Sequence, residues 1–210
     1  MKLYSSVGPN PRLVRMFAAE KGIDLDVQNI DIYAGDNRLP PFLSKNVTGT
    51  TPVLELPDGQ TIAETIAICV YLETAFPDTT RLLGNNPEES AQAMMWWRRV
   101  DLQLVQPMTT GFRGAEGHDM FRDRVRCFPT VANAYKKMAQ EGLEWFNTQL
   151  ADARQFIAGS QLTVADLLLY CFIEFGALVG QGPAPELQHL ANWRDRISER
   201  ESASIPWLKV

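Results

Sequence analysis

Asn10, Ser5 and Ser6 are the residues of this sequence that are best placed to stabilise an anion. Asn10 precedes a helix that we expect to begin at Pro11, where its side chain would cap the first turn among free backbone amides. The positive end of a helix and a nearby donor together lower the pKa of a thiol. We therefore rank Asn10 first, and Ser5 or Ser6 second, as catalytic residues for a thiolate, although capping alone is a sufficient reason for Asn10.

A second pair of residues, Glu64 and Thr65, stands at the predicted start of another helix, directly after a short strand. The free amides of such a first turn, together with the threonine hydroxyl, can hold a carboxylate group. The alternative is a plain N-terminal turn, in which Glu64 only complements the helix dipole.

Pro52 opens a predicted strand further upstream. A cis Thr51–Pro52 bond would turn the Thr51 backbone outward, where it could pair with an extended peptide ligand. A trans proline on an edge strand, which is the commoner case, would have no such role.

These residues are positioned by alternating strands and helices, followed by helices alone. The predicted elements are strand 2–5, helix 11–21, strand 25–32, strands 51–56 and 61–63, helix 64–76, and helices 88–110, 121–150, 161–178 and 186–200. A βαβ unit, a hairpin with its helix and then only helices indicate two domains: an α/β domain over residues 1–79 and an all-helical domain over 87–210. Thr163 and Asp166 form a capping-box pattern, which we interpret as structural.

Composition excludes several classes of function. The 210 residues are 45% hydrophobic and 21% charged, with a net charge of −5, which is typical of a globular protein and argues against a nucleic-acid partner. No apolar run is long enough to span a bilayer and no signal-peptide core follows Met1, so we expect a soluble, cytoplasmic protein with no membrane partner. Cys69, Cys127 and Cys171 are widely spaced and form no ligand cluster with either histidine, so we expect no disulfide framework and no metal.

Taken in order, these segments resemble the glutathione transferase superfamily, whose members join a thioredoxin-like α/β domain to an all-α domain. The resemblance covers about residues 1–170 and is carried by Lys2-Leu3-Tyr4, Gly8-Pro9-Asn10, Ala19–Ile23, Asn46 and Gly49, Thr51–Leu54, Ala63-Glu64-Thr65, Ile68–Leu72, Ala158-Gly159 and Leu162–Asp166. It implies that glutathione is the bound thiol and the co-substrate.

The same resemblance implies where the parts of glutathione bind. The bond before Pro52 would be cis, and the Thr51 backbone would pair with the cysteinyl unit. Glu64 and Thr65 would hold the γ-glutamyl end. The basic residues placed by position near the glycyl carboxylate are Arg38 and Lys45.

Features of two bacterial groups are present. Gly8-Pro9-Asn10 resembles the Thr-Pro-Asn of nu-class proteins, with glycine in place of threonine, and residues 64–77 with 97–101 resemble β-etherases. We expect a detoxifying transferase that joins the glutathione thiolate to a small hydrophobic electrophile. A glutathione-dependent disulfide or peroxide reductase, a β-etherase-type lyase and a non-catalytic glutathione-binding regulator are the alternatives.

The resemblance also implies a homodimer, because family members usually pair. In such a dimer Asp101 would reach the glutathione amine of the other subunit, although a solvated charged face is an equal explanation of that residue. The side chains expected to line the electrophile pocket are Val105, Met108, Phe112 and Trp207.

Overall fold

The computed structural model describes residues 1–152 and 154–208, which form two compact units. The first unit comprises Met1–Leu83 together with a segment that begins at Arg200, and the second comprises Gly84–Glu199. The sequence-based division had placed the segment from Arg200 in the helical domain. It joins the first unit instead because it is hydrogen-bonded to the first helix.

A four-stranded sheet organises the first unit. Its strands are β1 (Lys2–Ser5), β2 (Asp26–Asn29), β3 (Val53–Glu55) and β4 (Thr61–Ala63). They lie in the order β2-β1-β3-β4, with β1 parallel to β2 and β3 antiparallel to both of its neighbours. The parallel pair requires a crossover, which helix α1 (Pro9–Glu20) supplies. With the helices that follow, this topology confirms the predicted thioredoxin-like α/β domain and all-α domain.

The other α-helices among the described residues of the first unit are α2 (Pro40–Leu43) and α3 (Thr65–Ala75). Phe42 of α2 packs against the sheet in a buried cluster with Tyr4, Ile30 and Val53. The rings of Tyr4 and Phe42 meet edge to face, with 6.3 Å between their centroids. The Tyr4 ring is therefore part of the core.

A buried ion pair joins α1 to α3 and to the chain that follows α3. Lys21 Nζ donates to Glu73 Oε2 and to the carbonyl of Thr80, both at 2.7 Å. Glu73 Oε1 accepts the backbone N–H groups of Leu82 and Leu83, both at 3.0 Å. Because a buried charge is tolerated only when it is paired and hydrogen-bonded, these contacts fix residues 80–83 to the first unit.

Residues 200–208, named the strap, are bound along α1. Near the end of the helix, Glu20 accepts two hydrogen bonds of 2.7 Å from the guanidinium of Arg200 and one of 2.6 Å from Ser202 Oγ. Burial raises the pKa of Glu20, but the hydrogen bonds from Arg200 and Ser202 outweigh it and leave that pKa lowered.

A second anchor of the strap lies nearer the start of α1. The buried side chain of Arg12 donates to the carbonyls of Ala203 at 2.8 Å and Ile205 at 3.1 Å. Its guanidinium also lies over the Trp207 ring, 4.8 Å from the ring centroid. The strap therefore supplies the acceptors that make the burial of Arg12 tolerable.

The second unit is helical. Its α-helices are α4 (Pro87–Val100), α5 (Gln106–Gly114), α6 (His118–Phe121), α7 (Ala132–Gln149), α8 (Val164–Leu178) and α9 (Gln188–Ser198). Among the described residues, no helix is long and apolar enough to cross a membrane.

Two long helical stretches of the sequence are interrupted, the first against expectation and the second at Pro129, where the sequence predicts that a helix ends, begins or kinks. A π-helical turn, Asp101–Val105, separates α4 from α5. Pro107 has no N–H to donate to the Gln103 carbonyl, so the regular ladder gives way to the wider turn there. The stretch from 121 to 150 is broken between α6 and α7, where Pro129 opens a single 3-10 turn.

Helix α8 forms the core of the second unit, and a closed capping box precedes it. Thr163 is the N-cap, and Asp166 accepts its backbone N–H and its hydroxyl, both at 2.9 Å. The Asp166 carboxylate also accepts the N–H of Ile157 at 2.7 Å and the indole N–H of Trp193 at 3.1 Å. The capping box predicted from the sequence is confirmed.

Candidate functional site

Asn10 lies inside helix α1 and not at its cap. The helix begins at Pro9, and its N-cap is Gly8, with φ 132° and ψ 164°. The expectation that Asn10 caps a helix starting at Pro11 is therefore wrong. Proline has no N–H to lose and its φ suits the first helical position, so Pro9 can start the helix. Gly8 can cap it because glycine tolerates a φ that other residues rarely adopt.

The prolines limit which donors the start of α1 offers. Pro9 and Pro11 carry no N–H, so the backbone donors of this first turn are those of Gly8 and Asn10. Among the described residues, no side chain caps the turn. The half-buried Asn10 side chain adds its own amide at the positive end of the helix.

The two serines before α1 differ in their surroundings. Ser5 is fully buried, and its Oγ has no hydrogen-bond partner among the described residues. Ser6 is 1% exposed, and its Oγ lies 2.6 Å from Thr51 Oγ1 and 3.1 Å from the carbonyl oxygen of Val7. The structure thus brings the predicted residues Ser6 and Thr51 together.

The loop before β3 is held by buried asparagines. Asn46 donates to Thr50 and accepts both the backbone N–H and the hydroxyl of Thr48. Asn37 donates to the carbonyl of Gly49 at 2.6 Å. The loop leads into the Thr51–Pro52 bond, which is cis.

Glu64 has the only positive φ of any non-glycine residue among the described part of the chain, at φ 70° and ψ 123°. It is the N-cap of α3, its side chain is exposed, and no described side chain caps the turn that follows. Thr65, the first residue of α3, is buried. A non-glycine residue held in this region is strained, and such strain concentrates at functional sites.

Of the two basic candidates, Lys45 is already paired. Its Nζ donates to Glu55 Oε2 at 2.5 Å, and the Tyr4 hydroxyl donates to the same oxygen at 2.8 Å. The hydrogen bond to Glu55 raises the pKa of Lys45, and the bonds from Lys45 and Tyr4 lower the pKa of Glu55. Both Lys45 and the Tyr4 hydroxyl therefore already have the Glu55 carboxylate as their hydrogen-bond acceptor.

Arg38 has one donor without a hydrogen-bond partner among the described residues. Its Nη1 donates to the carbonyl of Thr48 at 3.1 Å, while its Nε is buried with no hydrogen-bond partner among the described residues. A Cβ at Gly49 would come within 2.9 Å of Arg38 Nη1, and Gly49 has φ 64°. Glycine at position 49 therefore lets the guanidinium lie against the loop.

Comparisons with known families fit this geometry. Residues 7–75 match the family described as "Glutathione S-transferase, N-terminal domain", and residues 129–201 match "Glutathione S-transferase, C-terminal domain". Glutathione S-transferase 2 from Saccharomyces cerevisiae is 33% identical over 207 residues, which cover 96% of this chain and 87% of that protein. The chain belongs to the glutathione S-transferase family. The enzyme class expected from the sequence is thereby confirmed.

Solved structures of glutathione S-transferases extend the comparison. A glutathione S-transferase domain-containing protein from Marinobacter aquaeolei VT8 is 34% identical with a TM-score of 0.90, over 96% of this chain and 99% of that one. Gtt2 from Saccharomyces cerevisiae is 32% identical with a TM-score of 0.87, over 96% and 98%. A Gtt2-class glutathione S-transferase of Vibrio parahaemolyticus is 31% identical with a TM-score of 0.81, over 98% and 96%.

The remaining transferase residues predicted from the sequence are distributed over both units. Asp101 accepts hydrogen bonds from Arg98 and from Gln106 Nε2. Val105 and Met108 are buried, and the Phe112 ring contacts two other phenylalanine rings of the helical unit. Trp207 lies on Arg12 in the first unit. A shared electrophile pocket stays a prediction.

The capping of α1 by Gly8 and the contact between Ser6 and Thr51 are two features that the sequence analysis missed. The Gly-Pro pair at 8–9 was a usable signal, since proline favours the first position of a helix. The serine–threonine pair had no local signal, because it depends on how distant strands align. Within the described residues no cluster of His, Cys, Asp or Glu could hold a metal ion.

Proposed function

We propose that this enzyme lowers the pKa of the glutathione thiol at the start of α1 and transfers the thiolate to a small hydrophobic electrophile. Membership of the family supports glutathione transferase activity in general. The observation that carries the finer proposal is the pair of helix N-termini, those of α1 and α3, that no described side chain caps. Each favours an anion, and glutathione brings a thiolate and carboxylates.

The start of α3 is the proposed site of the γ-glutamyl end. Its first backbone N–H groups and the Thr65 hydroxyl are donors for the ligand's carboxylate. The exposed carboxylate of Glu64 is an acceptor for the ligand's ammonium group. The positive φ of Glu64 supports this assignment, because strain of that kind is retained where function requires it.

The middle and the other end of glutathione are assigned to the loop before β3. The Thr51 backbone would pair with the cysteinyl unit, as in the family. Arg38, rather than Lys45, would take the glycyl carboxylate. Its unpartnered Nε supports this choice, whereas Lys45 is neutralised by Glu55.

The thiol is assigned to Asn10. Its side-chain amide and its backbone N–H, with the N–H of Gly8, would stabilise the thiolate and lower the thiol pKa from about 8.5. Ser5 ranks second, because its buried hydroxyl has no partner among the described residues. Thiolate attack forms a C–S bond, the thiol proton passes to solvent, and the leaving group departs with the electron pair of the bond it loses.

The same thiolate would serve disulfide reduction or aryl-ether cleavage. Exchange through a protein thiol is disfavoured, since the chain's cysteines are Cys69, Cys127 and Cys171, and none is near Asn10 in the sequence. A panel of aryl halides, disulfides, peroxides and aryl ethers would identify the substrate class. Binding without turnover of any of them would indicate a regulatory protein.

The proposal is tested by calorimetry with glutathione and by ultraviolet titration of the bound thiolate. We expect saturable binding and a bound thiol pKa well below the free value. No binding, or a bound thiol that titrates like free glutathione, would overturn it.

We further propose a homodimer with a detoxifying role in the cytoplasm. Each unit presents apolar side chains to solvent: Val70 on α3 is 43% exposed, and Met94 and Met95 on α4 are each 37% exposed. Covering such side chains favours association. Light scattering at micromolar concentration should give the mass of two chains.

A further inference from the structure

Ser6 and Thr51 lie opposite each other where the ladder between β1 and β3 stops. The ladder pairs Lys2 with Glu55, Leu3 with Leu54 and Tyr4 with Val53. Continuing this register places Ser5 opposite Pro52 and Ser6 opposite Thr51. Since proline has no N–H, Pro52 cannot donate to the next backbone bond. The contact at the end of the two strands is made by side chains instead, with 2.6 Å between the two hydroxyl oxygens.

The single proton of the Ser6 hydroxyl is used within the protein. Each hydroxyl has one proton to donate. Two acceptors lie within reach of Ser6 Oγ: Thr51 Oγ1 at 2.6 Å, where either oxygen could be the donor, and the Val7 carbonyl at 3.1 Å. Whichever of the two accepts the Ser6 proton, that proton is not available to a thiolate.

We propose that Ser6 is a positioning residue of the glutathione site, whose hydroxyl holds Thr51 in place for the cysteinyl unit and does not contact the sulfur. This inference rests on the proposed function. It replaces the catalytic role that the sequence suggested for Ser6. The hydrogen bond between Ser6 and Thr51 also connects the residues before α1 with the loop before β3. The part of the site that binds the thiol is thereby held in a fixed position relative to the part that binds the peptide backbone of glutathione.

The test is a double-mutant cycle with Ser6→Ala, Thr51→Val and the double variant, using calorimetry with glutathione. Each single variant should weaken binding by about 5- to 30-fold, because each removes the same hydrogen bond. The double variant should bind glutathione no more weakly than the single variant with the lower affinity. The thiol pKa of bound glutathione and kcat at saturating glutathione should stay near wild type, while KM rises.

Two further variants make the test specific. Thr51→Ser keeps the hydroxyl and should restore most of the affinity. Ser44→Ala is the matched control, because Ser44 Oγ also donates to a nearby carbonyl, that of Pro41 at 3.1 Å, in the same unit. It should bind glutathione like wild type. Thermal melts of all variants establish that each is folded.

The outcomes separate the two proposals. If wild type does not bind glutathione, the proposed function fails, and the role of Ser6 fails with it. If wild type binds but the two single effects add in the double variant, only the Ser6 assignment is overturned. A raised thiol pKa in Ser6→Ala would also overturn it, since Ser6 would then be a donor to the sulfur.

Discussion

Helices α8 and α3 both begin with backbone N–H groups that have no acceptor within the helix. Among the described residues, side chains cap the start of α8 but not the start of α3. At α8, the buried carboxylate of Asp166 accepts four hydrogen bonds, two of them from Thr163. Burial raises the pKa of Asp166, and these hydrogen bonds oppose that rise. At α3, no described side chain caps the first turn, and Glu64 holds a strained φ of 70°.

Under the proposed function, this contrast distinguishes a structural helix start from one that binds a ligand. A protein carboxylate at α8 neutralises the positive helix end inside the core. At the start of α3 the carboxylate of Glu64 is exposed and makes no cap hydrogen bond, so the first backbone N–H groups can bind an external carboxylate.

Asp166→Ala should lower the free energy of unfolding by about 3–5 kcal/mol, because it leaves several buried donors without an acceptor. Urea denaturation measures the loss. The matched control is Glu89→Ala, since Glu89 holds the same third position in α4 but is exposed and binds Asn85 and Asn86. The control should lose only about 1 kcal/mol. Equal losses would contradict the buried structural role of Asp166.

Thr65→Ala should weaken glutathione binding by about 1–3 kcal/mol, because the ligand carboxylate loses a charge-assisted hydrogen bond. Calorimetry checks this. The control is Thr163→Ala, the same substitution at the start of α8. It should lower the free energy of unfolding by about 1 kcal/mol and leave glutathione affinity unchanged. If Thr65→Ala binds glutathione like wild type, the start of α3 is not the γ-glutamyl site.

Asn10→Ala should raise the thiol pKa of bound glutathione by about one pH unit, which corresponds to about 1.4 kcal/mol. Because Gly8 and not Asn10 is the N-cap, stability should change by less than about 0.5 kcal/mol. Asn10→Asp should raise the pKa further, since a carboxylate repels the thiolate. Ultraviolet titration gives both values. An unmoved pKa in Asn10→Ala, with a raised pKa in Ser5→Ala, would transfer the role to Ser5.

Glu64→Gly should be more stable than Glu64→Ala by about 1 kcal/mol, because glycine adopts a φ of 70° without strain. Thermal melts of the two variants give the difference. Thr163 is the matched control, because it is also an N-cap but has a φ of −128°. There glycine keeps only its ordinary N-cap advantage over alanine, so the difference between the two variants should be smaller than at Glu64. Equal stability of the two Glu64 variants would contradict the claim that the backbone of Glu64 is strained.

Local patterns predicted the parts of the fold that depend on neighbouring residues. The capping box of Thr163 and Asp166 and the hairpin around residues 57–60 follow from such patterns. The start of α1 was misplaced by two residues because Pro9 and Pro11 both suit the first helical position. Gly8 decides between the two starts, because its φ of 132° is not helical and makes it the N-cap, so that the helix begins at Pro9.

Features that depend on distant parts of the chain could not be predicted in this way. The Ser6–Thr51 contact requires the register of β1 against β3, and the ion pair of Lys45 with Glu55 requires the fold to bring the two side chains together. The π-helical turn at Asp101–Val105 was also missed. Its helical periodicity looks continuous in sequence, and only the missing N–H of Pro107 interrupts it.

The strap has a consequence for the order in which the enzyme is made. On the ribosome, Arg12 emerges early, but the carbonyls of Ala203 and Ile205 that accept its hydrogen bonds emerge only after the whole of Gly84–Glu199. Units that are continuous in sequence can fold as they emerge. The α/β unit of this chain is discontinuous, so its nascent form holds a cationic helix face without its native partners until synthesis of the helical unit is complete.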